Sequence, residues 1–165
     1  MPGPGGSRRG FTLIEVLIVS AIIGILVAIA ASNLRSVMNR ARQKRTMADM
    51  RTLALGIDSY DTDQNGFPAA AGYALPSGLS LPTATIGAIV TEIAPTYLRV
   101  VPLVDGWNSW FTYGTDSLRM NYAVRSNGAD GVPDASPPLG ETHTFESDII
   151  LVNGSFVQFP EGIQK

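Results

Sequence analysis

Phe11-Thr12-Leu13-Ile14-Glu15-Val16-Leu17-Ile18-Val19-Ser20-Ala21-Ile22-Ile23-Gly24-Ile25-Leu26-Val27-Ala28-Ile29-Ala30-Ala31 is aliphatic apart from Phe11, Thr12, Glu15, Ser20 and Gly24. At helical rise these residues cover roughly 30 Å, the thickness of a bilayer's hydrocarbon core. A core helix of a globular domain would carry a polar stripe, and this segment has none. Glu15 is the exception that needs a cause. A carboxylate at the centre of a spanning helix costs about 2.5 to 3.5 kcal/mol on insertion scales, so such a residue has a partner or gives up its charge. No cation lies within a turn on its C-terminal side. If residues 1–10 were removed, the nearest cation toward the N-terminus would be a new α-amine on Phe11, from the same helix or from a neighbouring copy.

Working outward, residues 1–10 are rich in Gly and Pro and read as a processing segment. From Ser32 to Asp61 the pattern stays helical. Met50, Leu53, Ala54, Ile57 and Tyr60 fall on one face, a stripe expected to face a core. No proline interrupts residues 11–61, which predicts one long helix with Gly24 as its weak point. Asp61-Thr62-Asp63-Gln64-Asn65-Gly66 begins like a calcium loop, but Gly72 stands where the twelfth-position Glu would be. An Asn-Gly helix end is the expected reading. Residues 69–82 are predicted as loop. Thr83 or Thr85 then caps a short helix through Ile93, which Pro95 closes. Strands are predicted over Trp110–Thr115, Arg119–Ser126, Asp148–Val152 and Ser155–Phe159. Asn153-Gly154 signals a tight hairpin between the last two. The fold class is therefore α+β: a long N-terminal helix packed against a small antiparallel sheet. Its expected parts are a leader (1–10), an apolar helix (11–31), an amphipathic helix half (32–61) and a head (62–165).

Charge narrows the function. The 165 residues carry no cysteine, so neither a disulfide framework nor a thiolate metal site is available. Arg35, Arg40, Arg42, Lys44, Arg45 and Arg51 form a basic belt, whereas twelve of the 14 acids follow Thr52. That asymmetry excludes a uniformly basic nucleic-acid binder. Positive flanks favour the cytoplasmic side of a membrane, and by charge alone the head would lie inside. His143, beside Glu141, Thr142 and Thr144, belongs to no nucleophile motif, and no phosphate-loop spacing occurs, so no enzyme is expected. The stretch from Ser126 to Asp148 is long for a structureless loop and rich in hard oxygen donors suited to Ca²⁺; a plain solvated acidic loop is an equal reading.

Gly10-Phe11-Thr12-Leu13-Ile14-Glu15-Val16-Leu17-Ile18-Val19 resembles the signal of type IV prepilins and of type II secretion pseudopilins. The resemblance implies that a membrane prepilin peptidase cuts between Gly10 and Phe11 and that Phe11 is N-methylated. It further implies that Glu15 meets the Phe11 amine of an adjacent subunit in a homo-oligomeric filament. Cleavage on the cytoplasmic face would place the head in the periplasm of a bacterial inner-membrane protein, against the charge count. The expected partners are membrane lipid before assembly, then the inner-membrane assembly machinery and other copies, with no nucleic acid. Asp105-Gly106-Trp107-Asn108, Ser126 to Gly131 and Asp148-Ile149 resemble the C-terminal region of the type II secretion major pseudopilin family. That likeness implies a structural Ca²⁺ held by side chains of Asp130 and Asp148 and the carbonyl of Asn127, with Asp134 or Glu146 as substitute ligands. Two alternatives stand beside the secretion pseudopilus. One is a type IV pilus subunit for adhesion, motility or DNA uptake. The other reads Ser7-Arg8-Arg9-Gly10-Phe11 as a twin-arginine signal, with cleavage after Ala30 releasing a soluble exported domain that starts at Ala31.

Overall fold

The structure, a computed structural model, describes residues 10–70, 84–135 and 137–164, side chains of 31–33 excepted. The predicted leader, most of the 69–82 loop, Gly72 and Thr83 thus lie largely outside the described residues; Gly10 lies within them. Helix α1 runs over Leu13–Gln64, three residues past the expected end. Asn65 then takes a left-handed conformation (φ 55°), and its N–H donates to the Asp61 carbonyl at 2.8 Å. This is the helix stop expected of an Asn-Gly pair, because Asn tolerates that backbone region better than other side chains.

The chain divides into two compact units, one through Val37 and one from Met38. In the first, the α1 residues are long and apolar enough to cross a membrane, and none of that span is buried. Leu13 is 91% exposed, and Ile25, Leu26 and Ile29 are each near 60%. Isolated in water, such a surface is what an aggregating chain would show; it needs lipid or other helices around it.

The second unit has its own core. Strands β1 (Ala84–Thr85), β2 (Thr112–Thr115), β3 (Tyr122–Ser126), β4 (Gly140–Thr142), β5 (Ile149–Val152) and β6 (Ser155–Pro160) form one sheet in the order β1-β2-β3-β5-β6-β4. All pairs are antiparallel except β4 with β6. The sheet is therefore mixed where a purely antiparallel one was expected. Asn153 and Gly154 both have positive φ (45° and 77°), the type I′ geometry that suits the twist of the β5–β6 hairpin. The predicted 83–93 helix is instead a 3₁₀ turn (Ile86–Ile89) followed by one α turn, α2 (Val90–Ile93). Its apolar face is still buried, since Ile86, Ile89 and Ile93 are fully covered. They join Met50, Leu53 and Ile57 of α1 and Tyr113, Tyr122, Ile149 and Leu151 of the sheet in one cluster. Each such aliphatic side chain contributes about 1.5–3 kcal/mol by leaving water. The amphipathic stripe read from the sequence is thus the seam between helix and sheet.

Candidate functional site

Two places gather polar side chains with a purpose. At the start of α1, Thr12 and Glu15 form a reciprocal cap. Thr12 N–H and Thr12 Oγ1 donate to Glu15 Oε2 at 3.0 and 2.9 Å, and Glu15 N–H donates to Thr12 Oγ1 at 3.3 Å. A Thr-x-x-Glu box satisfies N–H groups that no helical carbonyl can reach. It also supplies the Glu15 carboxylate with two donors from its own chain. Ser20 is satisfied in a similar local way, donating to the Leu17 carbonyl at 2.9 Å. Gly10 and Phe11 precede the helix and are exposed, Phe11 at 83%. Chemically, this end presents an accessible peptide bond, an exposed aromatic residue and a carboxylate one turn further on, beside an uncovered apolar surface.

The second place lies where loops meet the sheet. Asp105 is buried, and each of its oxygens has work. Oδ1 accepts from the N–H groups of Trp107 and Ser109, both at 2.9 Å, and Oδ2 accepts from Ser126 Oγ at 2.6 Å. The turn after it sits on α1: Gly106 N–H donates to Thr46 Oγ1 at 2.9 Å, and a Cβ there would strike the Arg42 backbone. Gly128 (φ 67°) brings the 126–131 loop against the carbonyls of Glu146 and Ser147 at a distance no other residue permits. Ala129 N–H reaches the Phe145 carbonyl at 2.8 Å. Asp134 and Asp148 exchange bonds: Asp134 N–H donates to Asp148 Oδ2 at 3.1 Å and Asp148 N–H to Asp134 Oδ2 at 3.2 Å.

The residues expected to hold Ca²⁺ are placed as follows. Asp130 is exposed, and its Oδ1 accepts from the N–H of Val132 at 2.9 Å, a local turn bond. The Asn127 amide donates to the Gly131 carbonyl at 3.3 Å. Asp148 is fully buried, and its Oδ2 lies 2.7 Å from a guanidinium nitrogen of Arg125, itself buried. Burial pushes the Asp148 carboxyl up to about 6, against the pull of Arg125 and the Asp134 N–H. Among the described residues no three acidic or histidine side chains gather in one group. Ca²⁺ takes six to eight oxygens, whereas here the buried Asp148 carboxylate already faces a cation and the buried Asp105 carboxylate is filled by N–H and O–H donors. The donor set does not fit the expected site. Asp61 and Asp63 lie on the last turn of α1 and join no such group either. His143 is exposed, its Nδ1 2.8 Å from the Glu161 carbonyl.

Two participants were missed in reading the sequence. Arg125 could have been flagged as the one charge inside the apolar strand Tyr122-Ala123-Val124-Arg125-Ser126, and Thr12-x-x-Glu15 is a legible capping box. Asp105 marks a turn in the sequence, but its bond to Ser126 spans 21 positions and leaves no local signal.

Comparison with known proteins places the chain in a family. Residues 6–31 match the prokaryotic N-terminal methylation motif, which includes Gly10, Phe11 and Glu15. Residues 33–139 match the family described as type II secretion system (T2SS), protein G. The chain is 28% identical to the type II secretion system core protein G of Klebsiella pneumoniae, over 81% of this chain and 93% of that protein. It is 29% identical to the core protein G of Pseudomonas aeruginosa, over 75% and 85%. It is also 31% identical to the type IV wide pilus major component PilA4 of Thermus thermophilus, over 77% and 98%. With the methylation motif ahead of a domain that matches over most of the remaining length, the chain belongs to the type II secretion system protein G family of pseudopilins.

Proposed function

We propose that this chain is the structural subunit of a type II secretion pseudopilus. A prepilin peptidase cuts between Gly10 and Phe11 and methylates the new terminus. Residues 11–31 hold the subunit in the inner membrane with its head in the periplasm. The inner-membrane assembly machinery then transfers it into a filament of identical copies, where Glu15 meets the Phe11 amine of a neighbour. The chain performs no reaction itself; the chemistry is done on it.

The observation that carries this reading is the uncovered apolar surface of α1, opening on a carboxylate that lipid cannot satisfy. Inside a bundle of copies the same surface becomes core, and burying its aliphatic side chains is a large favourable term. A neighbour in slipped register would leave Glu15 without its amine in a dry environment, so the carboxylate selects the register. The capping box suits the interval before assembly, since it supplies donors from the same chain.

Glu15→Ala tests it. The variant is expected to insert and to be cleaved, yet to form no filaments by electron microscopy of sheared cells; normal filaments would refute the pairing. Intact mass of the mature chain tests the processing: a start at methylated Phe11 is expected, and a start at Ala31 would instead mean a secreted soluble domain. The likeness to a wide-pilus major component favours one second reading, a true pilus. Deleting the gene separates the two, because loss of protein secretion marks a pseudopilus and loss of surface pili alone marks a pilus.

A further inference from the structure

Arg125 and Asp148 are a buried pair in a place where the fold otherwise has loops. Their side chains are 5% and 0% exposed, and the Arg125 Nη2 to Asp148 Oδ2 distance is 2.7 Å. Arg125 sits on β3, paired in register with Ile150 of β5, and Asp148 stands just before β5 begins. The same Nη2 reaches toward the Asp134 carbonyl at 3.5 Å, and the Asp148 carbonyl accepts from Gln158 of β6 at 3.0 Å. One guanidinium therefore joins a central strand, the 126–148 loop and the entry to the next strand. A cross-link of this reach is what a bound divalent ion does in an irregular loop.

Two buried polar atoms of this pair have no partner: Arg125 Nε, a donor, and Asp148 Oδ1, an acceptor. They belong to the same two residues and are chemically complementary. In the structure only Nη2 touches Asp148; a small turn of the guanidinium into a side-on fork, with Nε on Oδ1 and Nη2 on Oδ2, would satisfy both, and planar Arg–carboxylate pairs favour that arrangement. A divalent ion on Oδ1 would instead sit beside a buried positive charge and leave Nε unsatisfied. Of the other three candidate carboxylates, two are each engaged by a backbone N–H, Asp130 by Val132 and Asp134 by Asp148, and Glu146 is exposed.

We propose that Arg125 is the built-in cation of this loop: its guanidinium closes a two-toothed fork on Asp148 and ties residues 126–148 to the sheet in place of a divalent metal. The head then keeps its fold whether or not calcium is present. Removing either charge leaves the other buried and alone, the costly case for an ion pair, whereas removing both does not.

The test uses the full chain in detergent micelles, with unfolding followed by the fluorescence of Trp107 and Trp110. The wild-type melting temperature is expected to be the same in millimolar calcium chloride and in EGTA. A structural site saturated by calcium would raise it by several degrees, and that result would overturn the proposal. Arg125→Met and Asp148→Asn are each expected to lower the melting temperature. The double variant should lie above the sum of the two losses, and strict additivity would equally overturn it. Arg125→Lys, which keeps the charge but loses the fork, should fall between wild type and Arg125→Met. If Arg125→Met does not fold, the wild-type comparison still decides.

Discussion

Asp116 shows what one carboxylate does for a turn. It accepts from Met120 N–H at 2.8 Å, Asn121 N–H at 3.3 Å and the Asn121 side-chain amide at 2.7 Å, and so shapes the link from β2 to β3. Partial burial pushes its carboxyl up, but these donors outweigh that and hold it below the usual range. A carboxyl lowered on folding adds stability above its ordinary value near 4, and that stability is lost as pH falls through the lowered value. Asp116→Ala should therefore cost about 1–2 kcal/mol at neutral pH, and the difference from wild type should shrink as the pH falls below the ordinary carboxylate value near 4. Denaturant melts of both proteins at the two pH values check this. Thr12→Ala belongs to the same scale. It removes the hydroxyl that both donates to and accepts from Glu15, a cap worth about 1 kcal/mol. Amide exchange at residues 13–15 in micelles should speed up accordingly. Glu15 stands out in the sequence because it is the one charge in an aliphatic run. The Arg125–Asp148 pair does not, because its members are distant in the chain and each alone resembles a loop or strand residue.

Helices and hairpins announced themselves through period and turn chemistry, while the elements that depend on distant partners did not. The stripe from Met50 to Ile57 on α1, the Asn65 stop and the Asn153-Gly154 turn all rest on local sequence, and all three are where the residues put them, whereas Tyr60, expected on the same face, is half-buried outside the cluster. Strands β1 and β4 are two and three residues long, too short to show alternation, and they exist because β2 and β6 offer edges to pair with. The predicted strand from Arg119 begins only at Tyr122, since Arg119 takes φ 56° within the turn that Asp116 organises. At this scale the docking of the 105–108 turn on α1 is the informative contact. A Cβ at Gly106 would meet the Arg42 main chain, which cannot move without breaking helical hydrogen bonds. At Gly56 the obstacle is side chain rather than backbone, Leu98 with the fully buried Ile93 beside it, so the packing must shift to admit a methyl although alanine improves helix propensity. Gly106→Ala is thus expected to destabilise by about 3 kcal/mol and Gly56→Ala by less, about 1–2 kcal/mol. Thermal melts of the pair of variants, read against each other, separate backbone docking from side-chain packing.

Over the whole molecule, stability and assembly reside in different parts of the chain. Every member of the head's buried cluster lies between Met50 and Leu151, and the partly buried side chains around it begin at Met47. The apolar side chains from Phe11 to Ile29 contribute nothing to that cluster, so the head does not need them to fold. They are the surface that water rejects, and a filament of copies is the arrangement that removes it while keeping the heads folded. A chain begun at Met38 should unfold in one cooperative transition and sediment as a monomer without detergent. The chain from Phe11, in the same buffer, should not remain monomeric once detergent is removed. Sedimentation velocity on both distinguishes the outcomes. If the shorter chain formed filaments, assembly would have to run through the heads. Glu15 and the apolar surface around it would then be a membrane anchor and nothing more. If it stayed monomeric and the longer chain assembled only with Glu15 intact, the carboxylate and the aliphatic surface would be shown to act together. The apolar area would supply the driving force, and the single charge would choose which of many slipped packings is formed.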